Sequence, residues 1–208
     1  MDSELIYPLW EKNRKRDSKH DELIKSIFNL IELKDTKTAS HCRAVAYYCD
    51  NLSYALDMSD SERTVLHEGA MLHDIGKLYV DKAVLNKGEP LEPHERLMIE
   101  SHAEMGLRVL EGFHLDDRIV DIAWHHHERF DGSGYPDGRK EEQISYYTRI
   151  VSVADTVDAM STNRPYKSKM KKSEVIEELY KCMGTQLDPE ITETIIRLLN
   201  TGKVVLMG

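Results

Sequence analysis

The stretch HHHERFDGSGYPDG, from His125 to Gly138, sets three consecutive imidazoles ahead of an acid and a glycine-rich turn. Imidazoles and carboxylates recur along the chain at helix-sized intervals: His41, the pair His73-Asp74 in LHDIGK, His102, His126-His127, and Asp155 in VAD. One His-Asp pair arises by chance in many chains, and neighbours within a helix point about 100° apart. At a helix terminus, however, both can turn toward one point. Successive helices would then each contribute one or two nitrogen or oxygen donors, which is how bundles assemble metal centres in their cores. These donors are too many for one cation and suit two, with an acid bridging between them. Nitrogen and oxygen without sulfur favour iron or manganese, leave zinc open and speak against calcium. Two such cations make hydrolysis the natural chemistry, because they acidify a water and stabilise charge on an attacked phosphorus. Lys77, in the turn after Asp74, is placed to meet a phosphate oxygen as a compact cation.

The elements that must position these groups are helical. From Ser18, apolar residues at Leu23, Ile24, Ile27, Phe28, Leu30 and Ile31 fall on one broad face. Asp35 and Thr36 are set to cap a helix carrying His41, Val45, Tyr48, Cys49 and Leu52. A capped helix follows the 57–63 loop and ends near His73, with Gly76 weakening it beyond that point. The 78–90 stretch reads as a connector. One helix is expected from Pro93 through His102 to Leu110, and another from Asp116 to Arg129. Further helices are expected over 146–161, from Ser173, and from Asp188-Pro189. Strand signals are nearly absent, so the expectation is an all-α fold: a single compact multi-helix bundle with a metal centre in its core. Its expected divisions are an N-terminal arm and helix over 1–34, a catalytic domain over 35–200, and a tail over 201–208.

Composition narrows the partners. The 28 basic and 37 acidic residues leave a net charge of −9, which argues against a long DNA or RNA partner while allowing a local basic pocket. No apolar run approaches a membrane span and no signal-peptide core opens the chain, so a cytoplasmic protein without a membrane partner is expected. Three cysteines, Cys42, Cys49 and Cys182, without a Cys-x-x-Cys pair, read as ordinary reduced thiols.

The ordered motifs HDIGK (73–77), HHERFDGSGYPDG (126–138), RIVSVADTVDAMS (149–161) and NRPY (163–166) resemble the HD-GYP subgroup of the HD phosphohydrolase superfamily, over about 35–200. The resemblance implies hydrolysis of cyclic dinucleotides, chiefly cyclic di-GMP, to the linear dinucleotide or GMP. It implies a first metal on His41, His73, Asp74 and Asp155, and a second on His102, His126 and His127, with Asp74 shared. The nucleophile it implies is a hydroxide between the metals, with Lys77 on the scissile phosphate. The Gly134-Tyr135-Pro136 loop would line the pocket. Arg164 and Lys167 would meet phosphate or guanine, and Asp158 would orient a ligand or a basic residue. His125 falls outside the metal set, and Glu128 reads as a structural anchor for the loop.

Three departures qualify that resemblance. Trinuclear members carry a glutamate where this chain has Lys37, so two divalent ions per chain are expected, iron or manganese. The family's Gly-Leu-x-Gly after the loop is replaced by GRKEEQI, which puts Arg139 and Lys140 at the pocket rim, and the usual proline after HD gives way to LYVDKA. Two other functions stay open: a receptor that binds cyclic dinucleotide without turnover, and a phosphohydrolase for another nucleotide. With no receiver or sensory domain expected, regulation is left to a separate regulatory protein or to a homodimer paired through the N-terminal helix.

Overall fold

The computed structural model describes residues 18–163 and 169–207, and in it helices account for nearly all regular structure. They are α1 (Ser18–Lys34), α2 (Thr36–Ala55), α3 (Asp60–Leu72), α4 (Lys82–Leu85), α5 (Pro93–Glu100), α6 (His102–Glu111), α7 (Asp117–His125), α8 (Tyr146–Ser161), α9 (Lys172–Cys182) and α10 (Pro189–Thr201). Among the described residues no strand forms, as the sequence leads one to expect, and an isolated bridge joins Met183 to Leu187.

Helix α2 is the hinge of the packing. Asp35 caps it, accepting from the Thr38 amide at 3.1 Å, and most of its residues from Thr38 to Ser53 are buried. A long helix buried on most faces needs partners on several sides. One apolar cluster joins the first half of α2 (Ala39, Cys42) to Ile24, Ile27, Phe28 and Ile31 of α1, with Leu72, Leu110, Ile119 and Ala123. The other joins its second half (Val45, Tyr48, Leu52) to Ile150, Val153 and Val157 of α8, Leu179 of α9 and Ile191 and Ile195 of α10. Helix α1 is therefore part of the core, and the chain end is tied down by Tyr48 Oη accepting from the Met207 amide at 2.9 Å. Ser59 and Glu62 cap α3 with a capping box, and Asp188 with Pro189 opens α10.

Three local expectations are corrected. The helix read through 93–110 breaks at Ser101, and the stretch after it restarts at His102. Helix α7 ends at His125 rather than Arg129, which frees His126 and His127 to turn inward. A 3-10 turn over Ile75–Tyr79 runs into the 78–90 connector, which itself holds the short α4. The break at Ser101 has a neighbour that explains it. A methyl group on Gly76 would stand 1.9 Å from the His102 carbonyl oxygen and 2.5 Å from the Gly106 nitrogen. The HD turn and the start of α6 touch backbone to backbone, which only glycine permits at this position.

Candidate metal centre

Five elements bring their donors to one buried point between the two apolar clusters. His41 comes from the second turn of α2, His73-Asp74 from the end of α3, His102 from the start of α6, His126-His127 from the end of α7, and Asp155 from α8. His73, Asp74, His102 and His126 are almost wholly buried, at 0 to 2 % exposure, so any charge there must be balanced within the fold.

Asp74 stands at the centre with one oxygen toward each group of ligands. Its Oδ2 lies 3.6 Å from His41 Nε2 and 3.5 Å from His73 Nε2. Its Oδ1 lies 3.4 Å from His102 Nε2 and 3.8 Å from His126 Nε2. On the first side, His41, His73 and Asp155 bring ligand atoms within 4.8 Å of one another; on the second, His102, His126 and His127 do the same. His41 Nε2 is 3.1 Å from Asp155 Oδ1. Both groups consist of residues that the sequence pattern singled out.

Tautomers follow from the outer contacts. His73 Nδ1 donates to the Ala70 carbonyl at 2.7 Å, His102 Nδ1 to Ile99 at 2.5 Å, and His126 Nδ1 to Ile122 and Ala123 at 3.1 Å. Each neutral ring has one N–H, so each Nε2 is a bare lone pair. Burial holds these rings neutral: it drives His102 down to about 4, lowers His73, and pushes His126 well down. Burial and the neighbouring His102 bring His127 down to about 3. The consequence is a set of acceptors facing acceptors. His102 Nε2 lies 3.2 Å from His126 Nε2, and among the described residues His73 Nε2 and Asp74 Oδ1 have no hydrogen-bond partner. Converging lone pairs in a dry site are unfavourable unless a cation lies among them. The donor set therefore fits divalent metal on both sides of Asp74.

His41 behaves differently. Burial opposes its charge, but hydrogen bonds to Asp155 and Asp158 outweigh that and push it up to about 9. Its Nδ1 lies 2.6 Å from Asp158 Oδ2, so Asp158 orients His41, an ordinary carboxylate–histidine arrangement behind a metal ligand. Lys77 Nζ donates to Asp74 Oδ2 at 2.5 Å. Burial opposes ionisation of Asp74, yet the Lys77 ammonium beside it holds its carboxyl well below the usual range.

The glycine-rich loop folds back on the second group. A methyl group on Gly134 would fall 2.3 Å from the Arg129 nitrogen and 2.5 Å from the His127 oxygen. That closeness lays the Tyr135 ring on His127, stacked at 4.9 Å, ahead of a cis bond to Pro136. Glu128 is buried and accepts the Asp137 amide at 2.7 Å, the anchoring role expected of it. His125 points away from the centre, between Asp121 at 2.8 Å and Asp137 at 3.2 Å. Arg139, expected at the rim, instead joins that same pair of acids and lines a separate cleft with Trp124. Arg164 and Lys167 lie outside the described residues.

A cleft of about 480 Å³ opens onto the first side, with Lys37, Thr38, His41, Lys77, Asp158 and Asn163 in its wall. Cys42, which reads in the sequence as an ordinary reduced thiol, brings its sulfur within 4.8 Å of His73 and Asp74 ligand atoms. Its adjacency to His41 was the available signal, but neighbours on a helix face different ways, and the linear order hides that Cys42 reaches His73 across the bundle.

A family model described as HD domain matches residues 25–191. Among curated proteins, the chain is 35 % identical over 185 residues to "3'3'-cGAMP-specific phosphodiesterase 3" of Vibrio cholerae, covering 88 % of this chain and 40 % of that one. It is 34 % identical over 179 residues to a "Cyclic di-GMP phosphodiesterase" of Thermotoga maritima, covering 85 % and 49 %. The chain thus spans less than half the length of these relatives. Among solved structures, Bd1817, an HDG"Y"P protein from Bdellovibrio bacteriovorus, superposes with a TM-score of 0.66 at 21 % identity, over 78 % of this chain and 52 % of that one; at that identity the likeness speaks for the fold. Motifs, helical architecture and relatives agree, and the chain belongs to the HD domain family.

Proposed function

We propose that this chain is a metal-dependent phosphodiesterase that hydrolyses cyclic dinucleotides, cyclic di-GMP foremost, with 3'3'-cGAMP the alternative substrate that its relatives' names raise. The observation that carries the reading is the pair of acceptor-lined sites joined through the two oxygens of Asp74. His41, His73 and Asp155 would hold one ion and His102, His126 and His127 the other, with Asp74 shared. Bound divalent cations supply Lewis acidity, which makes a water nucleophilic near neutral pH and offsets charge on the phosphoryl group. The chain's own residues do the rest. Asp158 fixes the His41 ring, and the backbone carbonyls behind His73, His102 and His126 keep each Nε2 free to ligate. Lys77 keeps an ammonium at the bridging carboxylate, where a scissile phosphate oxygen would be met. Tyr135 covers His127 on the loop side and limits water there. The cleft volume lies within the range of small-ligand sites. Iron or manganese, two per chain, suits this donor set; the cysteine beside His73 is the one feature that leans toward a softer ion.

The test is to purify the protein anaerobically, measure metal per chain, and follow cyclic di-GMP and 3'3'-cGAMP by chromatography. Two ions per chain and hydrolysis lost in Asp74→Ala are expected. Tight ligand binding with two ions and no product would make the chain a receptor. Absence of metal after reconstitution would overturn both readings.

A further inference from the structure

Among the described residues, Lys37 is the one cation in the cleft that the chemistry above leaves without a task. It is the second residue of α2, in the turn where the helix dipole disfavours a positive side chain. Its Nζ donates to the neutral Asn86 Oδ1 at 2.8 Å, just past α4, so the contact offers no opposite charge. Other lysines show the contrast: Lys77 pairs with Asp74, Lys87 with Glu95, and Lys181 with Glu177 and Glu178. The nearest carboxylate along the chain, Asp35, is occupied in capping, since Asp35 Oδ2 accepts from both the amide and the hydroxyl of Thr38. A cation placed against the helix dipole and matched only to a neutral amide breaks the local rules, as residues do at sites that serve a ligand.

Position supplies the ligand's geometry. Lys37 precedes His41 by four residues, so both lie on one face of α2, separated by about one helical pitch of 5.4 Å. Both side chains line the same cleft, and Lys77 lines it with them. A cyclic dinucleotide carries two phosphodiesters in one ring. When one sits at Asp74 and Lys77, the other must leave the centre along the cleft and needs a cation there. We infer that Lys37 binds the second, uncleaved phosphate of a cyclic dinucleotide, and so selects two-phosphate rings over single phosphodiesters. This rests on the phosphodiesterase reading above, and deepens it by naming a specificity residue for the same cleft.

The test compares wild type, Lys37→Met, Lys37→Arg and the control Lys87→Met as manganese-loaded protein, on cyclic di-GMP and on the one-phosphate probe bis(4-nitrophenyl) phosphate. Loss of one charge-assisted hydrogen bond predicts roughly a tenfold rise in KM for cyclic di-GMP in Lys37→Met. The rise should be several-fold larger than on the one-phosphate probe, with kcat little altered and Lys37→Arg restoring most of the affinity. Equal losses on both substrates, or no change in KM, would overturn the inference. If the wild type cleaves neither compound, the phosphodiesterase reading fails separately. Calorimetric binding of cyclic di-GMP then decides the matter: a weaker Kd in Lys37→Met upholds the role, and an unaltered Kd or no binding by wild type overturns it.

Discussion

Gly76→Ala tests the link between backbone packing and the metal centre. The added methyl would meet the His102 carbonyl oxygen at 1.9 Å, whereas ordinary contact begins near 3.4 Å, so the HD turn and α6 must part by about 1.5 Å. The obstructing atoms are backbone, so no side chain can swing aside. Asp74 Oδ1 and His102 Nε2, now 3.4 Å apart, would open toward 5 Å. Metal–ligand distances tolerate only about 0.2 Å, so one cation cannot keep both donors. Overpacking of this kind costs about 1–3 kcal/mol, which a domain of this size survives. The expected result is a folded protein with a lower urea midpoint that holds fewer manganese ions per chain, losing first the site built on His102. Gly112→Ala is the control, because its added methyl meets only the Val109 oxygen, at 3.6 Å. Metal content and affinity equal to wild type in a folded Gly76→Ala protein would refute the claim that this backbone contact sets the spacing.

Asp158→Asn should leave the fold intact but weaken metal at the His41 side by roughly 10–100-fold, the usual effect of removing a ligand's orienting partner; manganese titration reads it, and unaltered affinity would count against Asp158 as that partner. In metal-free protein, His102 titrates near 4 when folded and near 6.5 when unfolded, so the unfolded chain binds more protons between those values. Stability is then fully present above about pH 6.5 and declines as pH falls, by about 2 kcal/mol from His102 alone at pH 5. His41 has the opposite sign, and its contribution fades as pH rises through about 9. Urea midpoints across pH 5–9 test both limbs. On the far side of α7, Asp121 is held down to about 2: burial opposes its charge, and hydrogen bonds from His125 and Thr148 outweigh that. Wild type should exceed Asp121→Asn in stability above about pH 4, and the difference should vanish as pH falls through about 2.

Much of the centre can be read from linear spacing. Donors at His41, His73-Asp74, His102, His126-His127 and Asp155 fall one or two to a helix, and helical packing in sequence order brings successive helices together. The hidden part is set by contacts between residues far apart in the chain. The tautomers of His73, His102 and His126 depend on carbonyls in the last turn of the preceding helix, at Ala70, Ile99, Ile122 and Ala123. Gly76 looks like a simple helix breaker until α6 is seen resting on it. Arg139 was expected near the ligand because it follows the glycine-rich loop, but the acids that capture it, Asp121 and Asp137, face the other side. The early end of α7 is likewise tertiary: Ser152 of α8 donates to the His126 carbonyl at 2.8 Å and satisfies a group that a longer helix would have used.

The central claim is that Asp74 bridges two cations. Anomalous diffraction from crystals of the manganese-loaded protein tests it most directly. Two peaks are expected, one among His41, His73 and Asp155 and one among His102, His126 and His127, each beside a different oxygen of Asp74. A single peak, or peaks away from Asp74, would contradict it.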